Sequence, residues 1–252
     1  MPVVLVTGGA QGLGAAVCRQ MAARGWTVAV ADVNAPGAQA VAEACGDVAF
    51  AVAVDLASAE GPAWMVAETL RRAGQFDVLV NCAAVAPAEA FLELTAVAWE
   101  QALLVNVRAT ALAMAAAGKV MKEQGGGRII NVTSAAARMA LPNYAAYAAT
   151  KAAVDSLTRS AAVALAPHGI RVNSLSPGMM DTPLQERTER IFCELAGRDD
   201  FEAFKAERTA RTPLGRRSNP DEMARMVVWL ATEAPDYMTA ARINVTGGLD
   251  KD

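Results

Sequence analysis

Seven short apolar runs separated by longer stretches of helical character set the strongest constraint on this chain. The runs lie at 3–7 (VVLVT), 27–32 (TVAVAD), 48–54, 76–81, 127–134, 170–176 and 241–246. Most are apolar throughout instead of alternating, which is the pattern of strands covered on both faces, hence of a parallel sheet. Helical stretches are expected at 13–24, 35–45, 59–73, 97–123, 144–166 and 219–232. Strand and helix alternate along the whole chain, the signature of a doubly wound α/β fold. Helix ends carry their own signals: Gly25 and Gly74 follow the first and third helices, and Asn219-Pro220 opens the last. No linker, repeat or composition shift divides the 252 residues, so a single domain spanning 1–252 is expected.

One stretch breaks the rhythm. Residues 183–217 are rich in charge yet keep spaced apolar positions at Leu184, Ile191, Leu195, Phe201 and Phe204. One or two amphipathic helices on a substrate flap fit that pattern. Composition excludes several function classes. A net charge of −3 lacks the basic face of a nucleic-acid binder. No run of about 18 apolar residues predicts a membrane helix, and the N-terminus runs from a strand into a glycine turn, unlike a secretory leader. Cys18, Cys45, Cys82 and Cys193 are scattered, and His168 stands alone between Pro167 and Gly169. No metal site is expected from such spacing; reduced thiols and a cytoplasmic location are. His168 reads as an ordinary loop residue.

Between the first strand and first helix stands Thr7-Gly8-Gly9-Ala10-Gln11-Gly12-Leu13-Gly14. Glycines at 8, 12 and 14 let the backbone turn sharply and approach a pyrophosphate, and the following helix points its free N–H groups and positive dipole end there. Asp32 ends the second strand, 20 residues past Gly12. A carboxylate in that place accepts from the adenosine ribose hydroxyls and repels a 2′-phosphate. Gln11 and Val33 bring no positive charge to offset it, so NAD is expected over NADP. Asp55 closes the third strand near the expected adenine edge, and Asn81 the fourth, at the crevice outside the carboxyl ends of the strands.

Chemistry is expected from Ser134, Tyr147 and Lys151. Tyr147 and Lys151 are four apart in a helical stretch and share one face. A free tyrosine titrates near 10, too high for a good base at neutral pH, and a neighbouring ammonium favours its phenolate. Ser134 ends a strand, where its hydroxyl can hold the substrate oxygen while Tyr147 exchanges the alcohol proton. Tyr144 has Ala148 four residues on, not a lysine, and reads as packing.

Taken together, these residues resemble the short-chain dehydrogenase/reductase family over essentially the full length. The turn Thr7-Gly8-x-x-x-Gly12-x-Gly14 matches its cofactor motif, Ser134, Tyr147 and Lys151 its catalytic set, and Pro177-Gly178-Met179-Met180-Asp181-Thr182 its P-G-x-x-x-T segment. The resemblance implies a Rossmann-type seven-stranded parallel sheet flanked by helices and transfer of the 4S hydride. It implies a homotetramer built on the long helices around 97–123 and 144–166. It further implies that Asn106 supports a water-linked proton path behind the lysine and that Thr182 holds the nicotinamide carboxamide. Cofactor contacts are then expected from Gly8, Gln11, Gly12, Leu13 and Gly14. Further contacts are expected from Asp32, Val33, Asp55 and Leu56; from Asn81 and Ala83; and from Tyr147, Lys151, Pro177, Gly178, Met180 and Thr182. Two departures stand out: the usual N-N-A-G reads Asn81-Cys82-Ala83-Ala84, and the usual D-G-G reads Thr246-Gly247-Gly248.

The substrate pocket is expected near 86–92, 135–144, 179–184 and the flap, with Met139, Met179 and Met180 as adaptable apolar walls and Asn143 and Gln185 as hydroxyl binders. The long flap and the segment from Ala231-Thr232 to Asp236-Tyr237 are similar to the family's NAD-linked polyol and sugar-alcohol dehydrogenases. A small polyol or sugar-like secondary alcohol is therefore the leading substrate class. A hydroxysteroid or other apolar alcohol is the alternative. A 3-oxoacyl-carrier-protein reductase is disfavoured by Asp32, and a non-catalytic NAD-sensing protein by the intact catalytic set.

Overall fold

A computed structural model describes residues 1–250. Its seven strands are β1 (Val3–Thr7), β2 (Thr27–Asp32), β3 (Ala49–Ala53), β4 (Val78–Asn81), β5 (Gly127–Val132), β6 (Ile170–Pro177) and β7 (Arg242–Val245). All pair in parallel, in the order β3-β2-β1-β4-β5-β6-β7. The fold is thus the expected Rossmann-type doubly wound sheet. Strand order reverses between β1 and β4, which opens a crevice above the carboxyl ends of those two strands.

The continuous apolar runs have a direct cause. Val4, Val6, Val28 and Val30 face one side and pack with α1 (Gly12–Ala22) and α9 (Pro220–Thr232) through residues such as Val17, Met21 and Val227. Leu5, Ala29 and Leu79 face the other and pack with α3 (Gly61–Ala73), α5 (Ala109–Gln124) and α6 (Ala145–Leu165) through Met65, Met114, Met121 and Ala162. Both faces are dry, so no polar alternation survives in the strands. α2 (Ala35–Cys45) covers the outer strands. The α9 start is a full capping box, with Asn219 accepting from the backbone and Glu222 answering.

Two expectations need correction. The helix expected over 97–123 is three pieces: α4 (Ala96–Ala102), a wide π-helical turn at Leu103–Arg108, and α5. The widened turn buries Asn106, a recurrent use of π-bulges at functional positions. The apolar run at 127–134 ends as a strand at Val132, because Ser134 turns out and accepts from Ala136 N at 3.1 Å, starting a short 3₁₀ turn at Ala135–Arg138. Ala96–Gln124 is long and apolar enough for a membrane span by length and composition alone. Its Ala113, Met114, Ala117 and Met121 are buried in the sheet-facing core, which makes it a core helix. The flap forms two helices, α7 (Pro183–Leu195) and α8 (Phe201–Ala210).

Candidate active site

The glycine turn is shaped by contacts that no side chain could share. A Cβ on Gly14 would stand 2.1 Å from the Gly8 carbonyl oxygen, and one on Gly8 would stand 2.8 Å from Ala83 Cα. Gly8 and Gly12 also sit at φ +68° and +53°, a region that favours glycine. Thr7 ties the two neighbouring strand ends together: its Oγ1 accepts from Cys82 N at 3.0 Å and Ala83 N at 3.1 Å. Asp32 braces the turn from β2, its carboxylate accepting from Ala10 N at 3.0 Å and Asn34 N at 2.9 Å. Above lies a crevice of about 560 Å³, within the range of ligand sites. Bare backbone at a helix N-terminus, with a carboxylate one strand away, suits the diphosphate and adenosine ribose of a dinucleotide.

The far end of the crevice holds the proton-transfer groups. Ser134, Tyr147 and Lys151 all line it. Ser134 and Tyr147 share a hydrogen bond between their hydroxyls, and the Ser134 oxygen also accepts from Ala136 N. Lys151 Nζ donates to the Val132 carbonyl at 2.8 Å and lies 5.6 Å from the centre of the Tyr147 ring. Burial pushes Tyr147 up to about 12, against the lowering from Ser134. Burial also pushes Lys151 down to about 8. Both shifts have one cause, since a dry site disfavours whichever form is charged. The expected lowering of Tyr147 by Lys151 does not appear: Ser134 is the group that lowers it, and burial outweighs that.

Of the other expected cofactor contacts, Gly8, Gln11, Gly12, Leu13, Gly14, Asp32, Val33, Asp55 and Leu56 line the crevice, as do Ala83, Pro177, Gly178, Met180 and Thr182. Asn81 does not, nor does Asn106 of the expected catalytic set. Asn81 is turned into the sheet, its Nδ2 donating to Asn131 Oδ1 at 2.8 Å. This follows from register, because β4 and β5 set those two residues side by side. Asn106 donates to the Val85 carbonyl at 2.9 Å and Thr150 Oγ1 at 3.0 Å and accepts from Val85 N at 2.9 Å. It joins the loop after β4 to the residue beside Lys151. Met139, Met179, Asn143 and residues 86–92 fall outside the lining, whereas Tyr144, Leu184 and Gln185, within the expected stretches, line it together with Val85 and Val105.

Tyr144 is packing, as expected, but of a consequential kind. Its ring stacks on Tyr147 at 4.4 Å between centres and meets Phe192 of α7 edge-on at 5.1 Å. Its hydroxyl hydrogen-bonds Thr188. The two sequence departures are accommodated locally. Ala84 lines the crevice. Thr246 Oγ1 accepts from Asp250 N at 3.2 Å, while its backbone fits so closely against Gly178 that a Cβ there would be 2.7 Å from the Thr246 oxygen.

Comparison with known proteins agrees with this geometry. A family model described as enoyl-(acyl carrier protein) reductase matches residues 8–250. Sorbitol dehydrogenase of Cereibacter sphaeroides is 36% identical, covering 97% of this chain and 95% of its own. L-2,3-butanediol dehydrogenase of Corynebacterium glutamicum is 36% identical, covering 98% of both. The crystal structure of levodione reductase superposes with a TM-score of 0.93 at 28% identity, over 99% of this chain and 97% of that one. The chain belongs to the short-chain dehydrogenase/reductase family, whose members are oxidoreductases acting on CH–OH groups.

Proposed function

We propose that the protein is an NAD(H)-dependent dehydrogenase that interconverts a small polyol or sugar-like secondary alcohol and its ketone. One domain spanning 1–252, with a flap at 183–217, carries the activity. The observation that carries the reading is the pairing of ends in one crevice: Asp32 at one, and Ser134, Tyr147 and Lys151 at the other. The Asp32 carboxylate repels a 2′-phosphate, which supports NAD over NADP. The substrate class is supported by the sorbitol and butanediol dehydrogenases, each matched over nearly its whole length. The mostly apolar walls at Val85, Val105, Tyr144 and Leu184 favour an apolar secondary alcohol as the second reading.

A bound nicotinamide cofactor would supply the hydride chemistry, its oxidised form bringing positive charge that is lost on hydride transfer. Ser134 holds the substrate oxygen through its hydroxyl. Tyr147 takes the alcohol proton in oxidation and returns it in reduction. Lys151, fixed by the Val132 carbonyl, keeps a cation on the phenolate's side of the helix. Asn106 holds Thr150 and hence the neighbouring Lys151 in place, and Thr182, capping α7, is set to meet the carboxamide. A homotetramer is supported by apolar side chains exposed on the long helices, Leu112 and Val163 among them. A cytoplasmic location is supported by four free thiols.

The test is reduction of NAD or NADP followed by absorbance at mildly alkaline pH, across polyols, sugars, diols and hydroxysteroids. Turnover of sorbitol or 2,3-butanediol with NAD is the expected result. Turnover of hydroxysteroids alone replaces the substrate class with the second reading, and turnover with NADP alone overturns the role of Asp32.

A further inference from the structure

Two cationic side chains line the crevice among the described residues, Lys151 and Arg187. Lys151 is committed to the Val132 carbonyl at the proton-transfer end. Arg187 is exposed and has no carboxylate partner among the described residues. Its flap neighbours differ. Arg190 pairs with Glu186, Arg198 with Glu207, and both Arg208 and Arg217 with Glu189. Arg216 pairs with Glu222, so Arg187 and Arg211 are left without such a pair among the described residues, and of the two only Arg187 lines the crevice.

The faces of α7 show which part of the crevice it serves. Thr188 and Phe192 are turned to Tyr144, so that face belongs to the proton-transfer end. Thr182, which caps the helix, is turned to the glycine turn: its methyl would lie 3.4 Å from a Cβ on Gly12. Pro183 and Arg187, four apart and on one face, both line the crevice beyond that contact. Facing them, the glycine turn offers a diphosphate only neutral backbone N–H groups. The ligand's negative charges thus meet no cation from the turn itself.

We propose that Arg187 is a diphosphate clamp, its guanidinium closing from the flap onto the diphosphate of the bound dinucleotide, opposite the glycine turn. A planar fork of N–H donors matches paired phosphate oxygens. Carried on α7, the clamp makes flap closure dependent on an occupied diphosphate site. The inference rests on the dinucleotide reading of the crevice, but neither on the choice between NAD and NADP nor on the substrate.

Calorimetric titration of wild type, Arg187→Gln and Arg187→Lys with ADP-ribose, 2′-phospho-ADP-ribose and adenosine tests it. ADP-ribose carries the diphosphate without nicotinamide, and adenosine lacks both. Arg187→Gln is expected to weaken ADP-ribose about tenfold, Arg187→Lys to weaken it less, and neither to change adenosine. Added salt is expected to narrow the gap between wild type and Arg187→Gln. Equal ADP-ribose affinity in the three proteins sinks the clamp alone. So does an equal loss for adenosine, which marks a disordered flap, or a loss confined to the 2′-phosphorylated ligand. A wild type that binds none of the three sinks the crevice reading and the clamp with it.

Discussion

A dry site opposes both charges that the proposed reaction needs. Lys151 is held at about 8 against an ordinary 10.5, which amounts to roughly 3 kcal/mol against the folded cation at neutral pH. The unfolded chain binds more protons than the folded one between about 8 and 10.5, so stability from this group rises with pH across that window. Lys151→Met is therefore expected to stabilise the protein by about 1–2 kcal/mol at pH 7, after the lost Val132 hydrogen bond is discounted. Denaturant unfolding at pH 7 and pH 10 checks this; the gain should shrink at the higher pH while activity is lost at both. Tyr147, raised to about 12, must lose its proton to act as base, so alcohol oxidation should speed up as pH rises on the alkaline side. Tyr147→Phe is expected to lower kcat by about 10²–10⁴ and to leave NAD affinity unchanged in a fluorescence titration. Asp32→Ala should weaken NAD and narrow its advantage over NADP, read as the ratio of kcat/KM for the two cofactors. An unchanged ratio moves selectivity to another residue.

At the level of elements, the flap is fastened by charge. Glu189 of α7 is fully buried and pairs with Arg217 at 2.6 Å and with Arg208 of α8 at 3.1 Å. Gln185, which lines the crevice, donates to the same carboxylate at 3.1 Å. Removing one member of a buried pair strands the other and costs about 3–5 kcal/mol. Glu189→Gln should thus loosen the flap more than the sheet. Trypsin cleavage within 183–217 is expected to accelerate by tenfold or more, and an unchanged rate would show that the flap is held by other contacts. None of this lock was readable in the sequence, because its partners are 19 and 28 residues apart and nothing local marks them. The strands, the glycine turn and Asp32 were readable, since each is fixed by local pattern and by its place at a strand end. The Asn81 side-chain bond to Asn131 was not readable, for the converse reason. A carboxamide ending a strand looks the same whether it meets a ligand or a neighbouring strand, and only the register with Asn131 decides. The π-helical turn was hidden too, because Leu103–Arg108 fits the periodicity of an uninterrupted helix.

For the whole molecule, the exposed apolar residues on the outer helices are the surface that the proposed tetramer would cover. Val163 is 76% exposed and Leu112 39%, on α6 and α5. If these faces build the proposed tetramer, wild type should scatter light at about four times its 26.2 kDa chain mass, and Leu112→Glu with Val163→Glu should lower that value. An unchanged mass would place the interface elsewhere. The crevice itself is assembled from distant sequence: the Thr7 link to Cys82 and Ala83 spans 75 and 76 residues. A ligand that reads it binds only the completed fold. The stacked pair of Tyr144 and Tyr147 carries this logic to the surface. One leaf of the stack is the proposed base; the other is bonded to Thr188 and braced by Phe192, both on the flap. The flap and the proposed base thus share one continuous stack of rings, and any change in how the flap sits would be felt by Tyr147 through Tyr144.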